Sequence, residues 1–495
     1  MLAWCSVFLD VSRRSYHHLL MRYSLLLLTG LSVLLAGCGL VAVHPAASPP
    51  LECVAHFVSW DQRVADAGVG DGGSHRLAGY PYLRSNRFLA SFGDGIAADP
   101  ADSVRVSAWL EHLRRLDMQA RRIELQNLGI ADVDAQLERL EACGTAALQQ
   151  LKAADLDAIA QAAKVPDDYS MAARVLGAYP LALPFMRLGI ERFQAELRED
   201  FQSDLWADPQ DAELRLWLPP SDIASRHTLT TMRRDVLGIP VLSEAQWQQL
   251  AQRHAPAWWI ETAGDFDQPG RPVRREGRPA IDTGDAVVYY QTAHTLFGDQ
   301  VLPQIAYVMW FSQRPPAYPL DPYAGDFDGL IWRVTVDEQG NALVYDSIHP
   351  CGCYHQFFSP AGLPRAEAPG FDEEPILTPQ TEVPARDVAL RVQSATHYLR
   401  RILPRDDIDD PAQRHYVLRP YDDLLTLDIG DGVTRSLFDP CGMLSVSSRL
   451  ERFWLWPSGV RNPGAMRQWG RHATAFLGRT HFDDARLLEK VYRPE

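Results

Sequence analysis

Leu330-Ile331-Trp332-Arg333-Val334-Thr335-Val336, Asp337-Glu338-Gln339-Gly340-Asn341 and Ala342-Leu343-Val344-Tyr345-Asp346-Ser347-Ile348 form two apolar runs joined by a polar turn. β-Branched and aromatic residues dominate both runs, and Gly340 and Asn341 tolerate positive φ. The stretch therefore predicts an antiparallel hairpin. Working outward, Val287 to Gln291 and Gln304 to Phe311 read as earlier strands, and Tyr416 to Leu418, Leu424 to Ile429 and Phe453 to Trp456 as later ones. Ala465 to Leu477 reads as a late helix, and Pro364 to Pro384, rich in proline and acid, as a surface loop. The region 216–495 is thus a mixed domain centred on an antiparallel sheet.

Toward the N-terminus the period changes. Leu110, Leu113 and Leu116, then Val133, Leu137 and Leu140, then Leu148 and Leu151 recur at three- and four-residue steps, the spacing of one helix face. Asp132 and Asp155 stand where N-caps are useful, Pro166 to Ser170 reads as a break, and Pro180 and Pro184 interrupt the pattern again. The expected fold class is α+β, a helical bundle domain over 53–215 followed by the larger mixed domain.

Leu35-Ala36-Gly37-Cys38 closes the apolar run Leu25 to Leu35 and matches the lipobox of bacterial lipoprotein signal peptides. In that pattern residues 1–37 are a signal peptide with Met21 as its effective start, and Cys38 is the acylated first residue of the mature chain. Residues 38–52, Pro-rich from Pro45 to Pro50, are then a tether. A membrane-spanning helix fits less well. It needs about 20 apolar residues, and this run is broken by Thr29, Gly30 and Ser32. Gly39, where an Asp would retain such proteins at the inner membrane, favours an outer-membrane, periplasm-facing address. The lipid bilayer, reached through acylated Cys38, is the expected partner, with envelope proteins unspecified.

A formal net charge of −15, made more negative once Arg13, Arg14, Arg22 and Asp10 are removed, argues against nucleic acid, which requires a basic field. After Cys38 come Cys53, Cys143, Cys351, Cys353 and Cys441, an odd number for an oxidising compartment. A Cys53–Cys143 disulfide stapling the tether to the helical domain is the economical pairing, and it isolates the other three.

The candidate chemistry follows the hairpin. His349, Cys351, Cys353 and His355 alternate, so on an extended strand all four share a face. At roughly 3.4 Å per residue, however, the two histidines would stand about 20 Å apart, too far for one ion. A bend at Pro350 and Gly352 gives a compact set, Cys351, Cys353 and His355, with His294 as the outside ligand, suited to zinc or another transition metal. Two other readings compete. Cys441 could form a disulfide with Cys351 or Cys353, leaving the histidines structural, or one cysteine could be a nucleophile with His294 or His355 as base. Asp321, Asp326 and Asp328 read as turn residues, and Met466 to His472 with His481 to Asp484 as a capped helix with a surface ion network.

Asp328 to Thr335, Tyr345 to His349 and Cys351-Gly352-Cys353-Tyr354-His355 resemble a group of uncharacterised Gram-negative lipoproteins over most of the mature chain. That resemblance implies the envelope address and assigns no substrate or catalytic residue. The expected function is an outer-membrane lipoprotein carrying a metal-binding hydrolase site. The alternative is a non-catalytic envelope scaffold or assembly factor with structural disulfides.

The lipobox generates a direct test. Radiolabelled palmitate should be incorporated by the wild type and not by Cys38→Ser, and the variant should leave the membrane fraction or accumulate unprocessed. Membrane retention of an uncleaved Cys38→Ser chain would instead point to a spanning anchor.

Overall fold

The computed structural model describes residues 52–202, 212–220 and 232–494, all within the compact unit Ala46–Glu495. The signal segment, Cys38 and nearly all of the tether lie outside the described residues. The architecture is α+β.

The hairpin forms as its residues dictate. Ala342–Ile348 pairs antiparallel with Gly325–Val336, Tyr345 opposite Val334 and Ser347 opposite Trp332. Asp337 Oδ1 accepts from the amides of Gln339 (2.9 Å) and Asn341 (2.8 Å), and Gly340 takes φ +73°, the local bonding expected of an Asp-led turn. Around the hairpin a six-stranded sheet runs in the order Gln356–Phe358, Ala342–Ile348, Gly325–Val336, Gln300–Arg314, Val287–Phe297, Val417–Pro420. Every pairing is antiparallel except the last, which is parallel. A second, mixed sheet runs Leu399–Pro404, Val388–Val392, Ala257–Thr262, Glu213–Leu218, Arg414–His415.

Both faces of the first sheet are covered. Ile305, Tyr307, Met309 and Phe311 pack with Trp258, Ile260, Leu390 and Val392 of the second sheet. The alternate residues Ala306, Val308 and Trp310 pack with Leu437, Phe438, Met466 and Phe482 of the C-terminal segment. Double burial explains why the strand Gln300–Arg314 is apolar almost throughout rather than alternating. It also explains why the strands are longer than their apolar runs suggest.

The helices cap one end of this sheet. Asp102, Asp132 and Ser170 accept from the amides of Arg105, Ala135 and Ala173, starting helices at Ser103–Asn127, Val133–Leu148 and Met171–Leu176. Trp109, Leu113, Leu140 and Ile159 share a core with Leu296 and Val301 from the ends of two sheet strands. Cys53 and Cys143 are joined as a disulfide across 90 residues of sequence, a loop long enough for a constraint of about 4.6 kcal/mol on the unfolded chain in the loop-entropy account.

Several expectations are corrected. The helix Tyr179–Gln202 runs through Pro184; Pro180 lies in its first turn, where no donor is needed, and Pro184 removes only one bond from the second. Phe453 to Trp456 is a short helix, Arg452–Leu455, continued by a 3₁₀ turn, Trp456–Ser458, not a strand. Ala465 to Leu477 is irregular rather than helical. Gly464, Gly470 and Gly478 take positive φ there, and the Arg467 guanidinium, 1% exposed, bonds the carbonyls of Arg461 and Arg471 in place of a helical ladder. His472 and His481 are buried with it, so this stretch is core and not a surface ion network.

Charge is also buried inside the helical layer. Arg84, with no exposed surface, donates to Asp117 (3.0 Å) and Glu124 (2.7 Å), and Arg121 donates to Asp117 (2.7 Å) and to the Pro81 carbonyl (2.6 Å). Burial alone would raise the Glu124 carboxyl; Arg84 and Arg76 outweigh it and hold Glu124 at about 2. This lattice pins the loop 71–85 to the Ser103–Asn127 helix.

Removing one partner of such a set leaves an uncompensated buried charge, a loss of about 3–5 kcal/mol. Urea unfolding of Arg84→Met should show a loss of that order. A loss below about 1 kcal/mol would mean that the lattice is not structural.

Candidate functional site

The residues assigned to a metal do not converge. Residues 349–353 form a tight turn, not a strand: Gly352 N donates to His349 O (2.8 Å) and His349 N to Cys353 O (3.0 Å). Gly352 has φ +91°, and a Cβ there would fall 2.2 Å from the Ala473 carbonyl oxygen, so only glycine fits. The turn directs each side chain differently. His355 Nε2 lies 2.9 Å from Asp346 Oδ2, which Arg333 also holds at 2.5 Å. His349 Nδ1 lies 3.3 Å from Asp328 Oδ1. Cys351 and Cys353 are free thiols that hydrogen-bond each other. Donation from Cys353, aided by Arg449, draws the Cys351 thiol down, and the same bond pushes Cys353 up. Cys441 is disulfide-bonded, to neither of these two.

His294 stands at the other end of the sheet. It pairs with Pro303, whereas Ile348 meets Ile331, which meets Val308, which meets Tyr289. Five residues along a strand and three strands across amount to about 20 Å. Among the described residues no group of three or more His, Cys, Asp or Glu is arranged to hold a metal ion. The physical reason is that the imidazoles of His349 and His355 already serve buried carboxylates.

One of those carboxylates is a hub. Asp328, expected as a turn residue, is fully buried and faces three cations or donors: His349, His397 Nδ1 (2.9 Å) and Arg449 Nη2 (3.2 Å). Burial would raise it, but Arg449 and His349 hold it well below the usual carboxylate range. Burial likewise opposes the His397 cation, and Asp267 with Asp328 outweighs that, raising His397 above its ordinary value.

The open site lies elsewhere, at the seam between helices, sheet and C-terminal segment. A cleft of about 300 Å³ is lined by Asp71, Phe88, His294, Asp422, Trp469 and Asp483, with glutamines between them. The Ser103–Asn127 helix contributes Leu116, Gln119, Ala120 and Ile123, its i, i+3, i+4, i+7 face. Gly470, φ +85°, lets the C-terminal segment approach; a Cβ there would meet the Gly73 carbonyl oxygen at 2.7 Å. That approach brings Gln468 Nε2 to 2.6 Å from Asp71 Oδ1.

Asp71 is fixed. Its Oδ1 also accepts from the Gly73 amide (3.1 Å), and Oδ2 accepts from Ser74 Oγ (2.7 Å), with Arg84 3.9 Å away. Three hydrogen bonds leave one of its roughly four acceptor positions open. Asp422 is held differently. Asp422 keeps an exposed side; partial loss of water on the side packed against the cleft wall, then the negative charges of Asp71 and Asp423, push its carboxyl up. His294 stacks on Phe88 (5.4 Å between centroids) with Trp247 edge-on. Burial lowers it to about 4, so it lines the cleft as a neutral ring, and its Nε2 has no hydrogen-bond partner among the described residues.

Of the residues proposed from sequence as metal ligands, His294 lies in the cleft, and the stretches Met466 to His472 and His481 to Asp484, expected as a capped helix with a surface ion network, contribute Gln468, Trp469, Gly470 and Asp483. Asp71 and Asp422 were missed, and Trp469 was given no binding role; Asp71 is hundreds of residues from the other two, and no local motif marks the set. Comparison with known proteins adds no assignment: no family model, curated protein or solved structure matches this chain.

Proposed function

We propose that this chain is a lipid-anchored protein of the outer membrane, facing the periplasm, whose cleft binds a neutral, hydroxyl-rich ligand of the glycan class and hydrolyses its glycosidic bond. The observation that carries the reading is the carboxyl pair in the cleft: Asp422, pushed toward its protonated form, and Asp71, fixed by three donors with one acceptor position free.

Two carboxyl groups in different protonation environments are what glycoside hydrolysis needs. Asp422 gives its proton to the leaving glycosidic oxygen. Asp71 takes the proton of an attacking water through its free acceptor position. The bond from the sugar carbon to the leaving oxygen breaks as the bond to water oxygen forms, and the two products depart with the carboxyls' proton count exchanged. The Trp469 ring suits the C–H side of a sugar ring, and the carboxamides of Gln119 and Gln291 suit its hydroxyls. The carboxylates of Asp71 and Asp483 on the wall, in a chain of net charge −15, disfavour phosphorylated ligands.

A metal-bound hydrolase would need another set of ligands, since the Cys351 and Cys353 pair, His355 and His294 lie in three separate places. The scaffold alternative keeps one supporting observation: the cleft's polar groups also serve the fold, Gln304 bonding Thr335 and Gln468 bonding Asp71.

Hydrolysis of soluble neutral oligosaccharides and of isolated cell-wall glycan strands should be measured from pH 4 to 8. A group whose proton affinity is raised is active while protonated, so the rate should fall as pH rises through the Asp422 pKa. Asp422→Asn should lower kcat by about 10²–10⁴-fold with KM within a few-fold and thermal stability unchanged. Absence of binding and turnover with every glycan offered would sink the reading in favour of the scaffold.

A further inference from the structure

A second surface carries an inference beyond the cleft. In the helix Tyr179–Gln202, Leu181, Phe185 and Leu188 recur at steps of four and three, the spacing of one helix face. That face is turned to solvent: Leu181 is 74% exposed, Phe185 77% and Leu188 66%. In the preceding helix, Met171–Leu176, Met171 and Val175 lie one turn apart and are also exposed. An amphipathic helix whose apolar side faces outward is the reverse of what a core requires.

The patch extends onto the C-terminal segment. The 3₁₀ turn Trp456–Ser458 packs on the Met171–Leu176 helix so closely that a Cβ on Gly177 would lie 2.7 Å from Pro457. It carries with it Phe453, 60% exposed, Trp454, 64% exposed, and Trp456. Arg187 sits with its guanidinium 4.9 Å from the Phe371 ring, and that ring too is exposed. Three segments distant in sequence thus place Phe, Trp, Leu and Val side by side, with the exposed Arg452 beside them.

We infer that this patch rests on the bilayer surface and orients the anchored body there. The inference rests on the lipid-anchor part of the proposed function and not on the cleft chemistry. Its occupant follows from two constraints. Aromatic and aliphatic side chains on short helices parallel to a surface are the composition that enters the headgroup boundary. Among the described residues no helix is long and apolar enough to cross a membrane, so the contact is peripheral. The tether is short as well. Fourteen residues link Cys38 to Glu52, at most about 50 Å when fully extended. Acylation at Cys38 would confine the body within that distance of lipid, so a weak interfacial affinity becomes effective. With the chain acidic overall, the attraction is apolar and should be insensitive to salt.

The test separates the patch from the anchor. Residues 39–495, which contain the whole compact unit Ala46–Glu495, are secreted behind a cleavable signal and so lack the acylated cysteine. The protein is floated with vesicles of phosphatidylethanolamine and phosphatidylglycerol at 0.1 and 0.5 M NaCl. It should float at both salt concentrations, and Phe185→Glu with Trp454→Glu together should reduce the floated fraction at least tenfold. Both positions are exposed, so the melting temperature should not change. No flotation of the parent, flotation unchanged in the double variant, or a parent dimer that the double variant converts to monomer would overturn the inference, the last by assigning the patch to a second copy. Palmitate labelling at Cys38 reads the anchor separately, so loss of one reading is distinguishable from loss of the other.

Discussion

The carboxylate of Asp328 is the constraint on which the rest of the body depends. It sits on a central strand of the first sheet, and its partners come from three other places. His349 belongs to the turn after the hairpin, His397 to the connection between two strands of the second sheet, and Arg449 to the C-terminal segment. A buried anion with fewer partners would protonate or unfold its surroundings. With them it fixes the separation of both sheets and the path of the wrap that covers the outer face. His397 extends the set to Asp267, 3.3 Å from its Nε2. Phe311 stacks on its ring at 3.9 Å, so the polar hub continues directly into the apolar core.

The same economy explains why the Cys/His segment does not gather around one point. Arg333 and His355 close on Asp346, and His349 closes on Asp328. Once both imidazoles are bound to carboxylates, the thiols of Cys351 and Cys353 bond each other, with the charges of Arg449, Arg467 and Glu451 nearby. The cleft, by contrast, forms where three chain segments meet without filling the space between them. One wall is a helix face, one a strand end, and one the glycine-bearing C-terminal loop that only positive φ allows to come so close. Its carboxyl pair supports a hydrolytic reading, and the patch on its own face supports a membrane-apposed body.

Much of the fold was legible because its signals are local. The hairpin was readable from Val334, Tyr345 and the Asp337 turn, the helices from their leucine spacing and from Asp132, and the staple from Cys53 and Cys143 being the only cysteines between Cys38 and the C-terminal half. The misreadings share one cause. Phe453 to Trp456 and Ala465 to Leu477 have the composition of regular elements, but their backbone is decided by long-range partners: helix Met171–Leu176 against the Trp456 turn, and the buried Arg467 bonding carbonyls that a helix would have used. The alternation of His349, Cys351, Cys353 and His355 was real in sequence and empty in space, because Gly352 turns the chain under the Ala473 carbonyl.

What the sequence by itself determined is whatever depends on neighbours a few residues away: strand and helix periods, caps, the Asp-led turn, the lipobox pattern and the acidic charge that argues against nucleic-acid partners. What only the tertiary structure decided is which charged groups are buried and with whom, and where a cavity is left. Asp71 shares a cleft with Asp422 and Trp469, although hundreds of residues separate it from them. Burial changes the proton affinity of a carboxyl, and the assembly of packed segments sets that burial. No local pattern carries that information.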